Sequence, residues 1–241
     1  MPAPRALILA AGRGQRMRPL TDSTPKPLLP VRGKPLIEWH LLALAAAGVQ
    51  DVVINTAWLE SQFPAALGDG SRWGLRIHYS HEGRDHGDAL ETAGGIATAL
   101  DALAPDGHSP FWLVSGDIHA PGFSFSAAQA RAVAQSQDLG LLWMVPNPPF
   151  HTRGDFLLDD AGRLHRLPAS DAPQPPLAQP MTYANFALMR PALVEGLNAG
   201  NRAALGPFLH RAADAGSLAG QRWQGPWENV GTPAQWQALQ A

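Results

Sequence analysis

Short apolar runs alternating with stretches of helical spacing constrain the fold of this chain more than any other feature. Ala6-Leu7-Ile8-Leu9 reads as a buried first strand, Val52-Val53-Ile54 as a second and Leu75 to Tyr79 as a third. Phe111-Trp112-Leu113-Val114 reads as a fourth and Leu141 to Val145 as a fifth. Between them, helical patterns cover Pro35 to Ala47, Leu59 to Leu67 and Ile96 to Leu103. The first opens with proline at an N1 position and stops at Gly48. Such alternation predicts an α/β fold, a mostly parallel mixed sheet with helices on both faces. At 241 residues the chain can bury one sizeable core. Ligands of such sheets bind outside the carboxyl ends of the strands.

The end of the first strand carries the densest chemistry. Ala10-Ala11-Gly12-Arg13-Gly14-Gln15-Arg16-Met17-Arg18-Pro19 packs two glycines and three arginines into one loop. Backbone N–H groups in a glycine-containing turn can cradle phosphate oxygens, and arginines add charge-assisted bonds. A few residues on, Pro25-Lys26-Pro27 holds a lysine between two prolines, which stiffen its backbone. The spacing is neither a Walker A loop nor the GxGxxG fingerprint. Taken alone, the loop reads equally as a strand-to-helix connection with solvated arginines. A net charge of −2 with 16% charged residues supplies no basic field for nucleic acid, so these arginines suit a small anion. Zero cysteines exclude disulfides and thiol chemistry and fit a cytoplasmic protein. Met1-Pro2-Ala3-Pro4-Arg5 enters the first strand without a signal-peptide pattern. No apolar run approaches the ~20 residues of a membrane helix, so no membrane partner is expected.

Four further segments carry candidate chemistry. Asp117 follows Gly116 at the end of the fourth strand, where a carboxylate can ligate Mg²⁺ or cap a turn. Trp227-Glu228-Asn229-Val230-Gly231-Thr232-Pro233 ends in a helix start, with Thr232 as N-cap and Pro233 at N1. Leu90-Glu91-Thr92-Ala93-Gly94-Gly95 permits close backbone approach, and Glu91 or Thr92 could meet a base edge, although spacing alone favours an ordinary helix start with Glu in the first turn. After Pro146 a hairpin is expected from Asp155 to Leu167, then an exposed loop over Ala169 to Pro180 and a strand from Tyr183 to Leu188. Helices are expected from Pro191, from Leu205 to Ala215, and from Ala234 to Leu239. Arg153-Gly154-Asp155 and Tyr183-Ala184-Asn185 offer amides for sugar hydroxyls, or simply a turn and a satisfied buried Asn. The nine histidines are scattered and most read as surface residues; the eight tryptophans read as packing and pocket walls.

The first loop together with Pro25-Lys26-Pro27 resembles the signature of the sugar-1-phosphate nucleotidyltransferases, the NDP-sugar pyrophosphorylases. Glu91-Thr92 with the following glycines, and Leu67 to Leu75, are most similar to the compact N-acetylmuramate-1-phosphate uridylyltransferases. The resemblance runs from Arg5 to the end of the chain and implies a single Rossmann-like nucleotidyltransferase domain over 1–241. Its nucleotide-binding part would span about 1–145 and its sugar-binding part about 146–241. It implies transfer of a nucleoside monophosphate from an NTP, UTP here, to a sugar 1-phosphate, N-acetyl-α-muramate 1-phosphate here, in cell-wall recycling. Pyrophosphate leaves, with no covalent intermediate.

By the resemblance, Arg16, Lys26 and Asp117 are catalytic. Gly12, Arg13, Gly14 and Arg16 meet the triphosphate, and Lys26 the α-phosphate and the attacking phosphate. Ala10, Ala11, Glu91, Thr92 and Gly94 complete the nucleotide site, and Gly154, Asp155 and Asn185 contact the sugar. Mg²⁺ falls to Asp117 and Asn229, where relatives carry a second Asp; Glu228 points the other way in an extended segment. Arg153 or Arg202 would meet a lactyl carboxylate. Guanylyl transfer to mannose 1-phosphate, thymidylyl transfer to glucose 1-phosphate, and a sugar-nucleotide-binding module without turnover are the alternative readings. No sequence feature specifies an oligomeric state.

Overall fold

The computed structural model describes residues 3–168 and 178–240. Strand β1 (Ala6–Leu9) leads through three short 3-10 turns to a small hairpin, β2 (Pro30–Val31) and β3 (Lys34–Pro35), and then helix α1 (Leu36–Ala46). β4 (Asp51–Thr56), α2 (Gln62–Leu67), β5 (Arg76–His81), α3 (Glu82–His86), α4 (Glu91–Leu103) and β6 (Phe111–Ser115) follow. Next come β7 (Ile118–His119), α5 (Ala127–Gln135), β8 (Gly140–Val145), and the hairpin of β9 (Phe156–Leu158) and β10 (Leu164–Arg166). The long β11 (Gln179–Met189), α6 (Gly206–Asp214), β12 (Leu218–Arg222), β13 (Glu228–Asn229) and α7 (Pro233–Ala238) close the chain.

Nine of these strands form one mixed sheet. β6, β1, β4 and β5 lie side by side in parallel, with Ala6 opposite both Val52 and Trp112. β11 runs antiparallel between β6 and β8, and β12 adds to β8 in parallel. Strands from both ends of the chain therefore share one sheet.

The two faces follow from the period of two along each strand. Ala6 and Ile8 pack with Ile37, Leu41 and Leu44 of α1, Phe63 and Leu67 of α2, and Ala130 and Val133 of α5. Leu7 points the other way, into a core with Ala93, Ile96, Ala99 and Leu103 of α4 and Leu209, Ala212 and Ala213 of α6. Helices cover both faces, as the alternation predicts.

Several elements depart from the sequence reading, which contains neither α3 nor the short strands β2, β3, β7 and β13. The helix expected from Pro191 is a single 3-10 turn, Pro191–Val194. Helix α5 is Ala- and Gln-rich, burying only Ala130 and Val133, and β12 buries only Leu218 fully, so neither carries a strong apolar pattern. Of the loop expected over Ala169 to Pro180, 169–177 lie outside the described residues, while Gln179 and Pro180 already belong to β11.

Candidate active site

The carboxyl ends of β1, β4 and β6 open onto a cleft with three lobes that share walls. The first lobe is lined by Leu9 to Gly12, Lys26, Asn55, Glu82, Glu91, Thr92, Ser115 and Asp117. The second, about 490 Å³, is lined by Arg13, Gly14, Arg16, Lys26, Asp88 and Arg202. The third, about 520 Å³, is lined by Asp155, Asn185, Trp227 and Asn229, with His151 and His210. Lys26 and Gly14 belong to the first and second lobes, Arg16 to the second and third, and Leu9, Thr92 and Ser115 to the first and third.

Local sequence explains the second lobe. Gly14 adopts φ 61°, a conformation that suits glycine, and a Cβ there would lie 3.0 Å from Thr21 Cγ2. Thr21 Oγ1 donates to the Gly14 carbonyl at 2.8 Å and fixes the turn. Four cations, Arg13, Arg16, Lys26 and Arg202, line the lobe against one carboxylate, Asp88. Asp88 accepts from Arg13 at 3.4 Å. An excess of guanidinium and ammonium groups around a glycine turn is a phosphate environment.

Lys26 and Asp117, 91 residues apart, meet at 2.6 Å, Nζ donating to Oδ2. Both side chains are largely shielded, at 14% and 28% exposure, so the contact is fixed more firmly than a surface ion pair. Lys26 starts a 3-10 turn, Lys26–Leu28, whose N-cap Pro25 is extended. Asp117 sits between β6 and β7, and its carbonyl accepts from Val230 N–H at 2.9 Å. The β7–β13 ladder sets Asn229 opposite Ile118, bringing the amide beside the turn that carries Asp117. Glu228 lies opposite His119 and accepts from Gln235, away from the lobe linings, as alternation along an extended segment requires.

The first lobe rests on a buried network. Ala10 N–H donates to Asn55 Oδ1 at 2.8 Å, and Asn55 Nδ2 donates to Glu82 Oε1 at 2.7 Å. Leu90 N–H donates to Glu82 Oε2 at 2.7 Å. Burial raises the Glu82 pKa against these donors, which favour its ionised form. A Cβ on Gly95 would lie 2.7 Å from both Asn55 Nδ2 and Glu82 Oε1, so only glycine fits there. Glu91 follows in a left-handed conformation, φ 60°, and its Oε1 accepts from Arg202 Nε at 3.1 Å.

Most sequence-predicted residues meet in the cleft: Ala10, Ala11, Gly12, Arg13, Gly14, Arg16, Lys26, Glu91, Thr92, Asp117, Asp155, Asn185 and Asn229 line its lobes. Four do not serve as expected. Gly94 is buried with its N–H on the Ala203 carbonyl; its close approach is to the chain's own Asn201–Ala203 backbone, not to a base. Gly154, expected to offer its N–H to a sugar, donates it to the His151 carbonyl; a Cβ would strike Asn147 Oδ1 at 2.6 Å and Met181 O at 2.8 Å. Arg153 bonds the Pro168 carbonyl at 3.1 Å and lines no lobe. Arg202 lines the second lobe rather than the third.

Seven of the nine histidines are at least partly exposed, and two are buried. His40 and His119 are 3% exposed, and burial drops the His40 pKa to about 4. His151 and His210 line the third lobe. Asn55, Glu82 and Ser115 were missed. Asn55 and Ser115 each close an apolar strand with a polar residue, the same pattern that singles out Asp117.

In the third lobe, Asp155 uses both oxygens: Oδ1 pairs with His151 Nε2 at 3.0 Å, and Oδ2 accepts Tyr183 N–H at 2.8 Å. Asn185 has φ 61°, at the irregularity between Tyr183 and Ala187 where β11 shifts register on β8. A bulge re-aims side chains, and this one leaves Asn185 lining the lobe. Trp227 Nε1 donates to the Ala184 carbonyl at 2.9 Å and fixes the neighbouring wall.

The nucleotidyl transferase family model matches residues 5–164. The N-acetylmuramate alpha-1-phosphate uridylyltransferase of Neisseria meningitidis serogroup B is 44% identical over 239 residues, 98% of this chain and 97% of that protein. The protein of the same name from Caulobacter vibrioides is 32% identical over 95% of this chain and 92% of its own length. A Bacillus anthracis crystal structure, assigned as a glucose-1-phosphate thymidylyltransferase, superposes with a TM-score of 0.76 at 18% identity, covering 98% of this chain and 93% of that one. That likeness establishes the fold. Among the described residues no helix is long and apolar enough to cross a membrane.

Proposed function

The chain belongs to the nucleotidyl transferase family, and we propose that it transfers the uridylyl group of UTP to N-acetyl-α-muramate 1-phosphate, releasing pyrophosphate. The 2.6 Å pair of Lys26 and Asp117 carries this reading, because both line the first lobe and Lys26 also lines the cationic second lobe, which sets an ammonium and a carboxylate where nucleotide phosphates would pass from one to the other. A phosphate oxygen of the sugar phosphate attacks the α-phosphorus of UTP in line, and the bond to the β-phosphate oxygen breaks. No residue forms a covalent bond; positioning and charge neutralisation do the work. Lys26 meets the α-phosphate and the incoming phosphate. Arg13, Arg16 and the amides around Gly12 and Gly14 hold the leaving pyrophosphate. Glu91 and Thr92 face the nucleoside, and Asp155 and Asn185 the sugar.

Mg²⁺ fits the residues present. Among the described residues no group of three or more His, Cys, Asp and Glu could hold a metal alone. One carboxylate and one amide oxygen, Asp117 and Asn229, suit an ion that takes few protein ligands and completes its shell with phosphate and water. Bound there, the ion would neutralise phosphate charge. The product is a cell-wall precursor, so this reading places the protein in cell-wall recycling in the cytoplasm.

A substrate panel with pyrophosphate detection tests the reading. UTP with N-acetyl-α-muramate 1-phosphate should give the highest kcat/KM. A preference for GTP with mannose 1-phosphate, or dTTP with glucose 1-phosphate, would replace it. Binding without turnover at millimolar Mg²⁺ would make the chain a binding module.

A further inference from the structure

Resting on the muramate reading, we propose that His210 recognises the carboxylate of the sugar's lactyl substituent. Muramate differs from glucosamine by that one anionic group, so a site selecting it needs a donor or cation away from the triphosphate. The arginines first expected there are occupied elsewhere, Arg153 by the Pro168 carbonyl and Arg202 by Glu91. Arg16 stands in the wall shared with the cationic lobe.

In the sugar lobe proper, the ionisable side chains are Asp155, His151, Tyr183 and His210. Asp155 and His151 satisfy each other, and burial beside Asp155 raises the Tyr183 pKa and keeps it neutral. His210 has no hydrogen-bond partner among the described residues. The Phe156 ring, edge-on at 5.6 Å, fixes its plane. Its charged neighbours are otherwise engaged: Arg211 lies over the Phe208 ring, and Asp214 pairs with Arg166.

Helix α6 adds a second feature. Leu205, Gly206, Leu209 and His210 all line the lobe, so one face of its first turns borders the sugar. That helix has no side-chain cap. His210 lies four residues from Gly206, on the same face; Pro207 has no N–H and the Phe208 and Leu209 N–H groups donate to the Leu205 carbonyl, so the imidazole rather than the helix end is the donor this face offers. An unpartnered imidazole N–H in the lobe lining is the donor a carboxylate there would meet.

Purified full-length protein, wild type and variants, decides the matter by kcat/KM with UTP. N-acetyl-α-muramate 1-phosphate is compared with N-acetylglucosamine 1-phosphate, which lacks the lactyl group, as substrate or competitive inhibitor. His210→Ala should lower kcat/KM for the muramate sugar about ten- to a hundredfold, the usual effect of one lost charge-assisted bond. The glucosamine constants, the UTP KM and the thermal midpoint should stay as in wild type. His210→Gln, which keeps an N–H donor, should fall between. Equal losses for both sugars, or no loss for muramate, overturn the assignment to His210. A wild-type enzyme active on other sugars but not on the muramate one overturns the substrate reading itself, and the inference with it.

Discussion

The lobes assigned above to the triphosphate and to the sugar share Arg16 and are built in opposite ways. The triphosphate lobe draws two of its four cations, Arg13 and Arg16, from one loop and a third, Lys26, from close behind it in the chain. The sugar lobe takes its walls from β1, β6, β9, β11, α6 and β13, and its polar groups are held by contacts between distant segments. A site for a strong, simple charge can be written locally, because glycine conformations and clustered cations suffice. A site for a sugar must place several weak donors in three dimensions, and only a bulge, a hairpin and a helix end arriving together do that here.

Lys26 tests the triphosphate side, where the first and second lobes share it. Lys26→Ala should cut kcat about 10²–10³-fold, the usual loss for one electrostatic donor at a transition state, while the UTP KM changes only a few-fold. Stopped-assay kinetics measure both; a near-normal kcat would remove Lys26 from the chemistry. Next in size is Gly154, which belongs to the sugar side alone. At φ 74°, with Asn147 and Met181 against its absent Cβ, Gly154→Ala should cost about 1–3 kcal/mol in urea unfolding. It should raise the KM of the sugar phosphate and spare that of UTP. Equal changes in the two KM values would show that the lobes are mechanically one.

Smaller effects sharpen the comparison. Asn229→Asp adds a charged oxygen donor beside Asp117 and should lower the Mg²⁺ concentration for half-maximal rate several-fold, since hard cations favour carboxylates. An unchanged Mg²⁺ titration would place the ion elsewhere. The smallest change is expected at Asp88, about half exposed like its partner Arg13. Asp88→Asn frees an exposed guanidinium, and the UTP KM should move by less than about threefold. A tenfold shift would mean that this pair latches the mouth of the triphosphate lobe.

The sequence by itself determined the β1 loop, Lys26, the strand ends and the alternation that makes a two-faced sheet. These are local: apolar periodicity selects strands and helices, and glycine with proline selects turns. Asp117 was legible as a strand-end residue, and Asn229 through the family resemblance. Their juxtaposition was not, because it depends on the β7–β13 ladder. The tertiary structure alone decided which glycines line the cleft and which meet the chain's own backbone, as Gly94 and Gly154 do. It also decided that β11, late in the chain, inserts between β6 and β8 and carries Asn185 to the cleft. Asn55 and Glu82 became one buried network, and His210 a wall of the sugar lobe, through the same long-range packing. Hydrogen-bond partners in a core are chosen by proximity after folding, and a buried polar group must find one wherever the chain brings it. Spacing along the sequence carries no record of that choice.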